Sequence, residues 1–218
     1  MSFYHAMNRG NDKRVIALDD RDRLRFVRNL YEMNDDNPTF NLSRHARLPD
    51  LGGQVIRDPL VHVHGWCLMR NHYHLFLTEL KDGGISKFLM KLNVGYVKYF
   101  NERHRRVGTL FQGKTKKVLI ERDAHFLYLL LYIHCNPLDY LPAAKEWRQK
   151  KVASSSDAIN WLLKYRWSSL PDYAGSTDFA KILEGSWLYE ERSRHLPELK
   201  KYLGSIQSNG LTAALQLE

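Results

Sequence analysis

Two β-like runs, residues 61–69 and 72–79, are separated only by Arg70-Asn71. So short a gap allows little but a tight reversal, and the runs are expected to pair as adjacent antiparallel strands. The rest of the chain arranges itself around that hairpin. Residues 2–8 read as a short strand, followed by the turn-like Asn8-Arg9-Gly10-Asn11-Asp12. Asp19 or Asp20 then caps a helix carrying Leu24, Val27, Leu30 and Tyr31 on one face. After Asp82-Gly83-Gly84 comes a helix with Ile85, Phe88, Leu89, Leu92, Tyr96, Tyr99 and Phe100 at helical spacing, and 117–120 is strand-like. Asp123 caps a further helix that must stop near Asn136, because Pro137 disfavours a helical conformation before it. The order β-α-β-β-α-β-α predicts an α+β fold. The expected core is a ferredoxin-like (RRM-like) antiparallel sheet with helices on one face, plus one added helix.

The chain has 218 residues and 44% hydrophobic content, enough for one ordinary core. Residues 1–140 are expected to form the main domain, and 141–218 a helical extension packed on it. Residues 34–59 hold Asn-Pro, Leu-Pro, Gly-Gly and Asp-Pro without a sustained period, and read as a loop or insertion. Lys plus Arg is 33 and Asp plus Glu is 24, a net charge of +9 that points to an acidic partner such as nucleic acid. Six of those nine excess charges fall within 103–122, where Arg103, Arg105, Arg106, Lys114, Lys116, Lys117 and Arg122 face one acid, Glu121. Phe111 and Gln112 add a flat group and a hydrogen-bonding group, a mixture that suits a nucleic-acid strand. A solvated basic loop is the alternative. Cys67 and Cys135 can build neither a disulfide framework nor a cysteine-based zinc motif. The N-terminus lacks the apolar core of a signal peptide, no run approaches the ~20 apolar residues of a membrane span, and a cytoplasmic protein is expected. No GxxxxGK[ST] loop appears, so nothing indicates nucleotide hydrolysis for energy.

The sharpest local feature is His72-Tyr73-His74. Alternate strand side chains face the same way, so the two imidazoles project together and can share a metal ion while Tyr73 packs inward. His62-Val63-His64 is a rival pair, placed where an exposed or packing role is expected. Phe76 and Leu77 break the HxHxDH pattern of metallo-hydrolases. In the helix from His125 to Pro137, Phe126, Leu127, Leu130 and Leu131 make a buried stripe, while His125, Tyr128, Tyr132 and Asn136 form a second line. Read alone, Tyr132 is either a core-edge tyrosine or a nucleophile, and Asn136 is either a helix terminator or a ligand. Tyr96 and Tyr99 are better read as core.

The motifs form a longer series: Tyr4-His5, Asn8-Arg9-Gly10-Asn11, Cys67 through Leu75, Lys91-Leu92-Asn93 through Tyr96, and Tyr99-Phe100-Asn101 with His104. Gly108 through Gly113, Tyr132-Ile133-His134-Cys135-Asn136-Pro137 and Tyr165-Arg166-Trp167-Ser168-Ser169 complete it. In this order, over residues 3–175, the chain resembles the single-tyrosine transposases of the His-hydrophobic-His superfamily, above all the REP-associated tyrosine transposases. Arg70 stands where a proline is common, Phe111 where tryptophan is frequent, and the 34–59 loop is longer than usual. The resemblance implies Tyr132 as nucleophile, His72 and His74 as metal ligands with Asn136 third, and Mg²⁺ or Mn²⁺ as the metal. The substrate is expected to be single-stranded or hairpin DNA, since an attacking tyrosine needs an accessible, flexible backbone, held by Asn71, Arg103, Arg105, Arg106, Gln112, Lys114, Lys116 and Lys117, in a monomer or a homodimer. The rival readings are a non-catalytic strand binder of the same fold and a metal-dependent hydrolase in which water attacks.

Overall fold

A computed structural model describes residues 2–37, 57–120, 123–149, 152–190 and 192–206. Strand β1 (Phe3–Arg9), helix α1 (Asp20–Glu32), strands β2 (Val61–Leu68) and β3 (His72–Glu79), helix α2 (Gly84–Arg103), strand β4 (Lys116–Ile120) and helix α3 (Asp123–Cys135) follow one another. The strands form one four-stranded sheet in the order β2-β3-β1-β4, with every neighbouring pair antiparallel. This is the ferredoxin-like arrangement expected from the element order. Most of the 34–59 loop lies outside the described residues.

Strand register decides which side chains share a face. Arg9 lies opposite His72 and Met7 opposite His74, so His5, Met7 and Arg9 stand on the same side of the sheet as the histidine pair. Tyr73 points the other way and is fully buried. Its ring lies 5.0 Å from Phe26 of α1, and its hydroxyl donates to Asn93 Oδ1 of α2 at 2.9 Å. Helices α1 and α2 therefore cover the Tyr73 face. Asp19 caps α1 by accepting from the backbone of Arg21 and Asp22. The inward stripe of α1 is Phe26, Val27 and Leu30, while Leu24 and Tyr31, expected beside them, are only half-buried.

Helix α3 lies on the opposite, histidine-bearing face. Gly65 of β2 makes room for it, since a side chain there would run into Leu130 Cδ1. Leu129, Leu130 and Ile133 join the core of the sheet, while Leu131 and Cys135 join a second core with Leu138, Trp147, Leu162, Leu199 and Leu203. The buried stripe expected on this helix is thus divided between two cores, with Leu129 and Ile133 added; the side chains of Phe126 and Leu127 lie outside the described residues. A helix gripped on two sides needs apolar groups around most of its circumference, which blurs the one-sided pattern. It ends at Cys135, as Pro137 requires, and passes into a 3₁₀ turn, Asn136–Tyr140.

Beyond it lie α4 (Ser155–Lys164), α5 (Leu170–Tyr173), α6 (Trp187–Glu190) and α7 (His195–Ser205). Residues 167–169 run along β2: Leu68 N donates to Trp167 O and Ser169 N to Trp66 O, both at 2.9 Å. That segment covers an otherwise open sheet edge. A buried polar chain ties the two cores together. His134 Nδ1 lies 2.7 Å from His195 Nε2, His134 Nε2 lies 2.7 Å from Ser169 Oγ, and Ser169 Oγ accepts from Trp66 N at 2.9 Å. Among the described residues no helix is long and apolar enough to cross a membrane.

Candidate functional site

The histidines of β3 are set by their neighbours before any ligand arrives. Asn71 Nδ2 donates to Lys13 O at 3.2 Å, which leaves Asn71 Oδ1 facing His72 Nδ1 at 2.7 Å. An amide oxygen only accepts, so His72 carries its proton on Nδ1 and keeps a lone pair on Nε2. His74 Nδ1 lies 2.9 Å from His5 Nε2, with the two rings stacked at 5.1 Å and 10°. The His72 and His74 rings stand 5.0 Å apart at 86°. Burial lowers the pKa of His5 to about 4. Burial, reinforced by the cations of Arg9 and Arg148, does the same for His72. His74 falls well below the ordinary range, from burial first and then from its histidine neighbours. Neutral imidazole is the form that ligates a metal.

Tyr132, half-buried on α3, approaches this pair from above. Its ring meets His74 edge-on at 5.9 Å and 88°, and His5 at 6.4 Å and 84°. Asn136, one turn later, donates from Nδ2 to Tyr132 O at 2.9 Å. Its Oδ1 accepts from Arg148 Nη2 at 3.0 Å. Arg148 also donates from Nη1 to the Tyr132 hydroxyl at 3.3 Å and from Nη2 to Asp139 Oδ2 at 2.8 Å. The guanidinium lies over Trp147, 4.5 Å from its ring centre, and Trp147 Nε1 donates to Asp139 Oδ1 at 2.7 Å. A fixed cation therefore stands at the phenol.

The metal expectation divides at this point. His72 and His74 fit a two-imidazole site, on one face and with the far nitrogen of each turned from its partner. Asn136 is already bonded to a cation and is not offered to a metal in this arrangement. Among the described residues no group of three His, Cys, Asp or Glu side chains could hold a metal ion. The rival pair has a packing role. His64 is buried between Ser186 Oγ at 2.8 Å and Thr78 Oγ1 at 3.0 Å.

The basic stretch is not one surface. Gln112, Lys114 and Lys116 line a cleft with Arg9, Met7 and Asn8, on the histidine side of β1 and β4. Lys117, next in the strand, points to the opposite face and donates to Ser86 Oγ of α2 at 2.7 Å. Arg103 is committed within the fold to Asp19, at 2.6 Å, and to buried Asp22. Arg106 donates to Asn101 Oδ1 at 3.1 Å and lies over Phe100, and Arg105 sits exposed in a left-handed turn. Arg103, Arg106 and Lys117 are therefore corrected from open strand contacts to groups held by their own helix and sheet. Phe111 is corrected too: it is buried against Tyr73 at 5.7 Å and Tyr96 at 6.4 Å and offers no face to a base.

Three site residues escaped the reading of single motifs. His5 and Arg9 belong to the series above, and period-two pairing of β1 with β3 would have placed them beside His72 and His74. Arg148 carries no motif; only the turn after Pro137 returns it to Tyr132.

No family model matches this sequence, and no curated protein matches it. Among solved structures, the chain is similar to a REP-associated tyrosine transposase bound to a REP hairpin, with a TM-score of 0.44 and 11% identity over 79% of this chain and 78% of that one.

Proposed function

We propose that this chain cleaves and rejoins single-stranded or hairpin DNA in the cytoplasm through a 5′-phosphotyrosine formed on Tyr132. The observation that carries the reading is the meeting of a half-buried phenol with an oriented, neutral imidazole pair and a fixed guanidinium. Arg9, Gln112, Lys114 and Lys116 line the cleft that would hold the adjoining phosphates.

The Tyr132 oxygen attacks the scissile phosphorus, the bond to the 3′ oxygen breaks, and that oxygen leaves as a 3′-hydroxyl after taking up a proton. The new phosphotyrosine bond keeps the phosphodiester energy, so reversal joins strands without a nucleotide cofactor. A phenol with a reference pKa of ~10 is nearly all neutral at pH 7, so the nucleophile requires local activation. Arg148, which donates to that hydroxyl, is the group placed to stabilise charge on the attacking oxygen. Asp139 and Trp147 hold that guanidinium in place. His72 and His74 would hold Mg²⁺ or Mn²⁺, which polarises the phosphate when bound. The phenol and the imidazoles belong to one chain, so one copy carries one full set. Two cuts then require two copies or two successive reactions.

The test is a protein–DNA species that survives denaturing electrophoresis. It is expected from the unaltered chain and absent from Tyr132→Phe, which should still bind the strand. A strand binder or a water-using nuclease would give no such species in either protein. An adduct formed by Tyr132→Phe would overturn the assignment.

A further inference from the structure

Arg70 precedes the Asn71 that orients His72, and it lines a separate cleft with Tyr140, Trp161, Lys164 and Tyr165. Arg70 and Lys164 are exposed and make no ion pair among the described residues. The acidic lining residue, Asp20, is engaged by Arg23 at 2.6 Å. The cleft therefore carries a clear positive excess.

Its aromatic groups are anchored by their polar ends and open at their rings. Tyr140 accepts from Arg70 N at 2.6 Å, Tyr165 donates to Leu68 O at 2.7 Å, and Trp161 Nε1 donates to Pro137 O at 3.2 Å. Tyr140 and Trp161 are nevertheless each 37% exposed. Tyr140 and Tyr165 lie 6.0 Å apart, tilted by 39°. Helix α4 buries Ala158, Ile159 and Leu162, so Trp161 adds little to its core. Exposed ring faces held rigid beside unpaired cations are the combination that binds an unpaired nucleotide, whose base needs a face to stack on and whose phosphate needs a charge. A duplex hides its base faces and would gain only the charges.

We propose that this cleft seats an unpaired nucleotide of the DNA strand that passes through the His72–Tyr132 site, with its base on Trp161 and Tyr140 and its phosphate on Arg70 and Lys164. The inference rests on the DNA-strand reading of that site, and it makes the turn between β2 and β3 the point from which both the reaction centre and a flanking subsite are supplied.

The test uses the full chain with Tyr132→Phe, so that no strand is cut, and fluorescence anisotropy with labelled dT12 and an abasic deoxyribose-phosphate oligomer of equal length. Adding Trp161→Ala should weaken dT12 binding about tenfold while leaving the abasic oligomer unaffected, and Trp161→Phe should restore most of the loss. Arg70→Ala with Lys164→Ala should flatten the salt dependence of log K by about 1.4, the share of two phosphate contacts on a single strand. Circular dichroism melts identify any variant that has not folded, and Trp161→Leu, which keeps apolar bulk without an aromatic face, then stands in for Trp161→Ala with the same loss expected. An unchanged dT12 preference in folded Trp161→Ala overturns the proposal, and so does an unchanged salt slope or tighter binding of rU12 through the same residues. Loss of the covalent adduct in the unaltered chain would instead overturn the cleavage reading, which this assay does not involve.

Discussion

Replacing Arg148 by Met removes a charge and its donors while keeping a stem of similar length against Trp147. The buried Asn136 Oδ1 loses its donor, at a cost of ~1–3 kcal/mol for an unsatisfied buried acceptor. The ion pair with Asp139 has side chains 30% and 33% exposed and adds ~0–1 kcal/mol. Together these predict a loss of about 1–4 kcal/mol, or roughly 2–16 °C in Tm at ~2–4 °C per kcal/mol for a chain of this size. The effect on chemistry should be larger. A donor poised at developing charge is worth ~10²–10³ in rate, so adduct formation in single turnover should slow by about that factor. Metal binding should move the opposite way, because the Arg148 cation that acts on His72 and His74 is gone. Mn²⁺ should therefore raise Tm more in Arg148→Met than in the unaltered protein. Scanning fluorimetry with and without Mn²⁺, together with adduct rates from denaturing gels, reads all three quantities. A variant with unaltered melting, unaltered adduct rate and unaltered Mn²⁺ response would refute the role given to Arg148.

Asn71→Ala removes the acceptor that keeps the His72 proton on Nδ1, and should lower Mn²⁺ affinity by about 10–100-fold in calorimetric titration; equal affinity would mean that the ring needs no such partner. Gly65→Val should push α3 away from β2 and cost about 1–3 kcal/mol in urea unfolding, a loss that an unchanged midpoint would contradict. Stability should also fall in mild acid. Burial holds His64 at about 3 and His195 at about 4, against an ordinary 6.5, so the unfolded chain binds protons first as pH drops. Their contribution is intact above 6.5 and is lost progressively down to those folded values, by about 2 kcal/mol for each histidine at pH 5. Asp172, raised to about 6 by burial, works in the opposite sense between about 4 and 6, one group against several buried histidines. Equal denaturation midpoints at pH 7.5 and pH 5 would contradict this balance.

The parts of the fold that local pattern could reveal were those with short-range causes. Three residues between β2 and β3 leave room only for a hairpin, and Pro137 ends α3 whatever surrounds it. The pairing of β1 between β3 and β4 has no local signal; it follows from the element order and the ferredoxin-like precedent. Leu131 and Leu130 look equivalent in the chain yet enter different cores, because only the packed C-terminal helices create the second one. The shared face of His72 and His74 was legible because strand alternation carried it. The site was illegible where tertiary return carried it, as with Arg148. The basic stretch misled for a related reason: neighbouring charges in the chain fall on opposite faces of a strand, which separates Lys116 from Lys117.

Because α3 is gripped along both flanks, the tyrosine rides on a strut rather than on a hinged arm. Handing a strand from one partner to another demands displacement somewhere, and a strut wedged between two cores cannot supply it cheaply. Under the strand transfer proposed for Tyr132, the travelling component is the nucleic acid, swivelling about a stationary anchor, and the pace of exchange should follow the suppleness of the strand more than any motion of the protein.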